Sequence, residues 1–254
     1  GSTPTFEPMG AGLSSYVNTL HTDGEHLYAG GTFTNAGHRV VSRISKWVGS
    51  NWEPWGKGGM NSDVNTILRD GERMWVGGAF NNGLWPSIAY SEDDGATVSL
   101  PNIKYGATSY TWAGVFNAAG SAYGSVKCIV KWNDNIVVAG QFQRLEWLNE
   151  TTANWAAVNN IFMFDPVSGT VDLMGGTWNS TSVGTSASSG PGLTDADYVA
   201  SVAVISPTEI VMVGKILNIG AYEKGGLYGY PFMSWNIARY GYDTYNETTG
   251  FFPG

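Results

Sequence analysis

The chain has 254 residues, 13 Lys+Arg against 21 Asp+Glu, a formal net charge of −8 and only 13% charged residues. That balance argues against nucleic acid as a main partner, because phosphate contacts need clustered Lys and Arg, and against docking on an anionic membrane surface. The 43% apolar content excludes a disordered chain, and no apolar run reaches the roughly 18–20 residues that span a bilayer.

Thirty-five glycines with many β-formers point to an all-β, turn-dense fold. In chain order, Gly1-Ser2 reads as a cloning scar or as the start of a processed or excerpted chain. Residues 5–10 follow as a predicted strand, Phe6-Glu7-Pro8-Met9-Gly10. A first unit over 11–56 has strand a at Val17–Thr22, a turn at Asp23-Gly24, strand b at Glu25–Phe33, strand c at Arg43–Trp47 and strand d at Trp52–Gly56. A second, over 57–100, repeats it 47 residues later: Val64-Asn65-Thr66-Ile67 answers Val17-Asn18-Thr19-Leu20. Likewise Val76-Gly77-Gly78 answers Ala29-Gly30-Gly31; strands c and d are predicted at Ser87–Tyr90 and Thr97–Leu100.

Unit three, 101–174, carries Val126-Lys127-Cys128-Ile129, Ala139-Gly140, strand c at Asn160–Phe164 and strand d at Thr170–Met174. Unit four, 175–254, carries Val199-Ala200-Ser201-Val202, Val213-Gly214, strand c at Asn236–Tyr240 and strand d at Phe251–Gly254. Their first valines follow those of the preceding units by 62 and 73 residues, so both units hold insertions. Four antiparallel strands per roughly 47 residues is the spacing of a β-propeller blade. Pro54 and Pro253 lack an N–H and suit an outer edge strand. The whole of 1–254 is read as a single propeller domain of four to five blades.

The motif V-N-T-L … L-Y-A-G-G-T-F-T-N-A-G … I-S-K-W … N-W-E-P-W-G resembles the repeats of the fungal cortical cell-polarity marker family and related bacterial repeats. More distantly it is similar to the Kelch repeats of galactose-oxidase-like propellers. The resemblance implies a propeller in an extracellular or cell-surface setting and carries no set of catalytic residues. The strand at 5–10 matches Trp52–Gly56, leaving one strand over. Three arrangements fit: an excerpt of a longer propeller; closure on itself with Phe251–Gly254 displaced; or strand exchange through Phe6, Pro8 and Met9 with a neighbouring copy.

The long connections are Pro101–Ser125, Gln143–Asn159, Gly175–Tyr198 and Leu217–Trp235, all predicted on one face of the propeller. They are read as aromatic loops. Tyr105, Tyr110, Trp112, Trp147, Trp155, Trp178, Tyr228, Tyr230 and Trp235 are the candidate surface for a glycan or a protein partner; rings that merely pack on each other are the competing reading. Sequons at Asn149, Asn179 and Asn246 point to a secreted glycoprotein, against unused sequons in an intracellular chain. Cys128 is the only cysteine, which forbids an intrachain disulfide and, read alone, leans cytosolic.

No motif for catalysis emerges. His21, His26 and His38 do not converge, so no metal site is predicted and no cofactor is expected. Glu146 and Glu150 with Asp195 and Asp197 are the one carboxylate set placed for glycoside hydrolysis. Glu92-Asp93-Asp94-Gly95 lacks the alternating oxygens of a calcium loop and reads as a turn. Cys128 reads as a buried structural thiol. The copper site of galactose-oxidase-like enzymes needs Tyr, His and Cys together, so that inheritance fails here. The expectation is a non-catalytic extracellular propeller acting in assembly or adhesion, with a self-associating, protein or glycan partner. A lectin-like module and a carbohydrate-active enzyme are the alternatives.

Overall fold

A computed structural model describes residues 5–253 except 57–59, 82–85, 106–107, 118–119, 121, 150–151, 175–176, 179–192, 220–222, 225–226, 229–231, 234–235 and 244–247. Among the described residues there is no helix. The strands are, in order, β1 Val17–Thr22, β2 Leu27–Gly31, β3 Asn35–Ala36, β4 Arg39–Val40, β5 Ile44–Val48 and β6 Asn51–Pro54. Next come β7 Val64–Asp70, β8 Arg73–Gly78, β9 Ile88–Ser91, β10 Asn102–Tyr105, β11 Thr108–Phe116, β12 Ser125–Trp132 and β13 Asn135–Gln141. These are followed by β14 Arg144–Asn149, β15 Thr152–Ala157, β16 Ile161–Phe164, β17 Val171–Asp172 and β18 Thr177–Trp178. The last are β19 Leu193–Ser206, β20 Glu209–Ile219, β21 Glu223–Lys224, β22 Leu227–Tyr228, β23 Phe232–Met233, β24 Ile237–Asp243 and β25 Thr248–Pro253.

Four antiparallel β-propeller blades result: β1-β2-β5-β6, β7-β8-β9, β12-β13-β16-β17 and β19-β20-β24-β25. Blade 2 keeps its predicted strand d only as a bridge in which Tyr90 and Ser99 exchange N–H···O bonds of 2.9 and 2.8 Å. The same backbone device recurs in all four blades. Strand a carries a β-bulge, at Val17/Thr19, Val64/Thr66, Val126/Cys128 and Val199/Ser201. Opposite it, strand b carries a glycine whose N–H donates to a carbonyl just before strand c. Gly31 bonds Arg43, Gly78 bonds Ser87, Gly140 bonds Asn160 and Gly214 bonds Asn236, at 2.9, 2.9, 2.9 and 3.1 Å. Those four acceptor residues are all in the left-handed region, with φ of 69, 65, 65 and 67°.

This device explains which glycine the repeat keeps. A Cβ on Gly31, Gly78, Gly140 or Gly214 would lie 2.0, 2.0, 2.1 or 2.3 Å from a carbonyl oxygen in or immediately before strand a, that of Tyr16, Asp63, Ser125 or Tyr198. The first residue of the doublet has another constraint. A Cβ on Gly30 would sit 2.4 Å from Val64 Cγ1 of blade 2, and one on Gly77 would sit 2.6 Å from Val126 Cγ1 of blade 3. Each next valine therefore seats on the glycine floor of the preceding blade. The blade-bulge asparagines add a polar clasp: Asn18 Nδ2 donates to Val64 O at 3.2 Å and Asn65 Nδ2 to Val126 O at 2.9 Å.

Three apolar cores fill the junctions between consecutive blades. Tyr28, Ile44 and Trp55 meet Val64, Ile67 and Met74 at the first. Trp75 and Ile88 meet Val126, Ile129 and Val138 at the second. Val137, Ala139 and Ile161 meet Val199, Val202 and Met212 at the third. Fully burying one such side chain contributes about 1.5–3 kcal/mol.

Two predicted features are corrected. Residues 5–9 form no strand: Phe6 is fully exposed, and the segment lies against blade 1, where Met9 O accepts a 3.1 Å bond from Trp52 Nε1. Blade 1 already has its own strand d, β6, whose Pro54 lacks an N–H for another partner. The insertions predicted as loops are also largely strand. β10-β11-β14-β15-β18 form a five-stranded sheet of their own, uniting residues from three of the four insertions.

Replacing Gly78 by Ala is expected to lower stability by about 3 kcal/mol, because backbone must move to admit the methyl group. Gly49→Ala, where nothing lies within 4 Å but φ is +60°, is expected to cost only about 1 kcal/mol. Urea unfolding of the two variants checks the ranking.

Candidate functional site

The inserted sheet stands where an aromatic binding surface is expected, and two of its described rings, Trp112 and Trp147, turn inward. Trp112 on β11 pairs across the ladder with Trp147 on β14, and they are 2% and 3% exposed. Trp112 Nε1 donates to Pro86 O at 3.0 Å, and its ring lies 5.8 Å from that of Phe162 in blade 3. Both tryptophans belong to the same core as the second blade junction, so they hold the sheet down and leave no face for a ligand. Tyr110 is half-buried, its ring centroid 6.4 Å from that of Trp147.

Trp155 on β15 is also half-buried, with the Arg144 guanidinium 4.1 Å above its ring. Tyr105, Trp178 and Tyr228 lie on β10, β18 and β22, with side chains outside the described residues; Tyr230 and Trp235 are wholly outside them. Among the sequons, Asn149 ends β14 at its hairpin with β15, while Asn179 and Asn246 lie outside the described residues.

The inserted sheet holds one buried ion pair, Arg144 Nη1 to Glu146 Oε1 at 3.5 Å, with side chains 8% and 13% exposed. Burial pushes the Glu146 carboxyl above the usual glutamate value, and Arg144 opposes the shift only in part. Of the carboxylates predicted beside it, Glu150 and the side chains of Asp195 and Asp197 lie outside the described residues.

The remaining candidates serve the fold. Asp23 accepts bonds from the N–H groups of Glu25 and His26 and from the Tyr28 hydroxyl, at 2.9, 2.8 and 2.9 Å, closing the first a–b turn. Asp93 likewise accepts from Ser91 Oγ and Thr97 N, and Lys46 of blade 1 holds Asp94, so the acidic turn is used internally. Burial lowers the His21 pKa and raises that of Cys128, whose thiol faces blade 4 near Val202 O. Among the described residues no group of three His, Cys, Asp or Glu could hold a metal ion.

What the residue types alone do not reveal is the state of the two end faces. In blades 2, 3 and 4 the inward residues of strand a are dry: Val64 and Ile67 are 0% and 6% exposed, Val126 and Ile129 0% and 4%, Val199 and Val202 0% and 6%. Their equivalents in blade 1, Val17 and Leu20, are 42% and 61% exposed. The opposite side of a blade shows the same break. Gly30–Ile44, Gly77–Ile88, Ala139–Ile161 and Val213–Ile237 are equivalent cross-strand pairs. Ile44, Ile88 and Ile161 are at most 1% exposed, whereas Ile237 and Val213 are 41% and 42% exposed. At both end faces, then, the residues at the junction positions are more exposed than their equivalents inside the row.

No protein-family model and no curated protein sequence matches the chain. Among solved structures it is similar to the WD40 β-propeller domain of Doa1, with a TM-score of 0.38 and 9% identity over 96% of this chain and 84% of that one. The Neurospora crassa Pan2 WD40 domain gives a TM-score of 0.36 and 11% identity over 92% of this chain and 64% of that one. At TM-scores below 0.5 these likenesses carry no functional reading, and the propeller assignment rests on the blades.

Trp112→Ala is expected to cost about 3–5 kcal/mol in a denaturant titration, as a core ring would. For Glu146 the raised folded pKa means that stability is fully present below the ordinary value of 4.5 and is lost as pH rises through the folded value. Glu146→Gln is therefore expected to flatten that decline in a series of thermal melts from acid to neutral pH.

Proposed function

We propose that the chain is a non-catalytic, extracellular β-propeller module that works through protein contact, in assembly or adhesion. One observation supports this most directly: the apolar residues Val17, Leu20, Val213 and Ile237 are exposed at repeat positions that are sealed everywhere else in the blade row. Exposed apolar surface at a rigid sheet face is what a protein partner covers. The sequons support the extracellular setting, in keeping with the resemblance to cell-polarity repeats, and the low charge favours assembly. Against a lectin reading stands the burial of Trp112 and Trp147, which cannot stack on a sugar. The hydrolase reading keeps only the raised pKa of Glu146, whose charged neighbour at 3.5 Å is an arginine.

A bead assay separates the three readings. Beads coated with the chain are expected to cluster in suspension, with no effect of added mono- or oligosaccharides. Sugar-competed clustering would favour the lectin, and polysaccharide turnover lost in Glu146→Gln would favour the enzyme. For the compartment, material from its native source is expected to lose mass on glycosidase treatment; unchanged mass would argue against secretion.

A further inference from the structure

We infer that the downstream face of blade 4 docks on the upstream face of blade 1 of a second copy, head to tail, in the register of the internal junctions. This rests on the assembly reading above and names its partner. The argument is one of equivalence. At each internal junction the face bearing a small residue and an isoleucine, such as Gly30 with Ile44, receives a strand a bearing Val and Ile or Val, such as Val64 with Ile67. The face with Val213 and Ile237 is the fourth member of the receiving series, and the face with Val17 and Leu20 is the fourth member of the inserting series. Among the described residues, the surface that repeat equivalence matches to one end face is the other end face.

Residue size sets the character of the contact. The receiving position runs Gly30, Gly77, Ala139, Val213 along the row. At Gly30 and Gly77 even a lone Cβ would approach the next valine to 2.4 and 2.6 Å, so Val213 prevents an equally close approach by Val17. The clasp is missing as well, because Ala200 stands at the bulge position of Asn18 and Asn65 and has no side-chain donor. The fourth junction is therefore wider than the other three and lacks the clasp of the first two, as suits reversible contact between separate molecules. A heterologous contact of this kind closes into a ring or runs on as a filament. Two copies would place eight blades in a ring, the upper end of the usual range of about 4–8.

Sedimentation velocity of the full chain over roughly 1–100 μM, the range of weak reversible interfaces, tests this. The expected result is concentration-dependent growth beyond the monomer. Leu20→Asp or Ile237→Asp is expected to weaken it at least tenfold, with the thermal melt of the monomer unchanged. Val213→Ala gives the sharper reading. In-register docking lets Val17 sit closer, so association should tighten several-fold. Monomer at all concentrations, or growth unaffected by Leu20→Asp and Ile237→Asp, would overturn the inference. So would weakening by Val213→Ala. If coated beads cluster while these variants change nothing, the assembly function stands and this junction falls.

Discussion

The structure depends on one contact made three times: a valine from the innermost strand of one blade set on a small residue in the second strand of the blade before it. Val64 on Gly30 and Val126 on Gly77 are its tightest forms. The bulge in strand a and the glycine–carbonyl bond before strand c exist in each blade to bring those surfaces into position. A β-sheet blade cannot bury both faces alone, so its stability comes from neighbours. That makes the row strong inside and leaves the same chemistry exposed at the two ends.

The inserted sheet obeys the same constraint. Five strands from three connections have no core of their own, and they obtain one by sending Trp112, Val115, Leu145 and Trp147 into the junction between blades 2 and 3. Among the described residues, Trp112 and Trp147 serve as the sheet's anchors. Arg144 and Glu146 lie in the same sheet as a largely buried pair, with the Arg144 guanidinium against the Trp155 ring.

The blade row was legible in the sequence because the bulge and the glycine are local demands that leave a fixed spacing. Strand a of the first unit is read at its observed limits, Val17–Thr22, and the left-handed residues before strand c sit where the repeat puts them. The inserted strands carried part of a signal, since Tyr110 and Trp112 alternate as one strand face would, but the bulge between Trp112 and Gly114 then moves the core-facing position to Val115 and breaks the period. The segments also fall between repeats and are long enough to be loops, which hides the remaining alternation. The strand at 5–10 matched in composition but not in opportunity, as β6 already fills that place. Exposure of Val17 and Leu20 was not legible at all. They are the same kind of residue as Val64 and Ile67, and only what stands beside them differs.

Side-chain footprinting by carbene labelling, read by mass spectrometry at low and at high protein concentration, tests the central claim most directly. The account predicts that peptides holding Val17, Leu20, Val213 and Ile237 label in the dilute chain and lose label together on concentration. Those holding Val64, Ile67, Val126 and Ile129 should stay unlabelled throughout. Protection of all eight positions in the dilute monomer would mean that the four blades already close on themselves, and would contradict it.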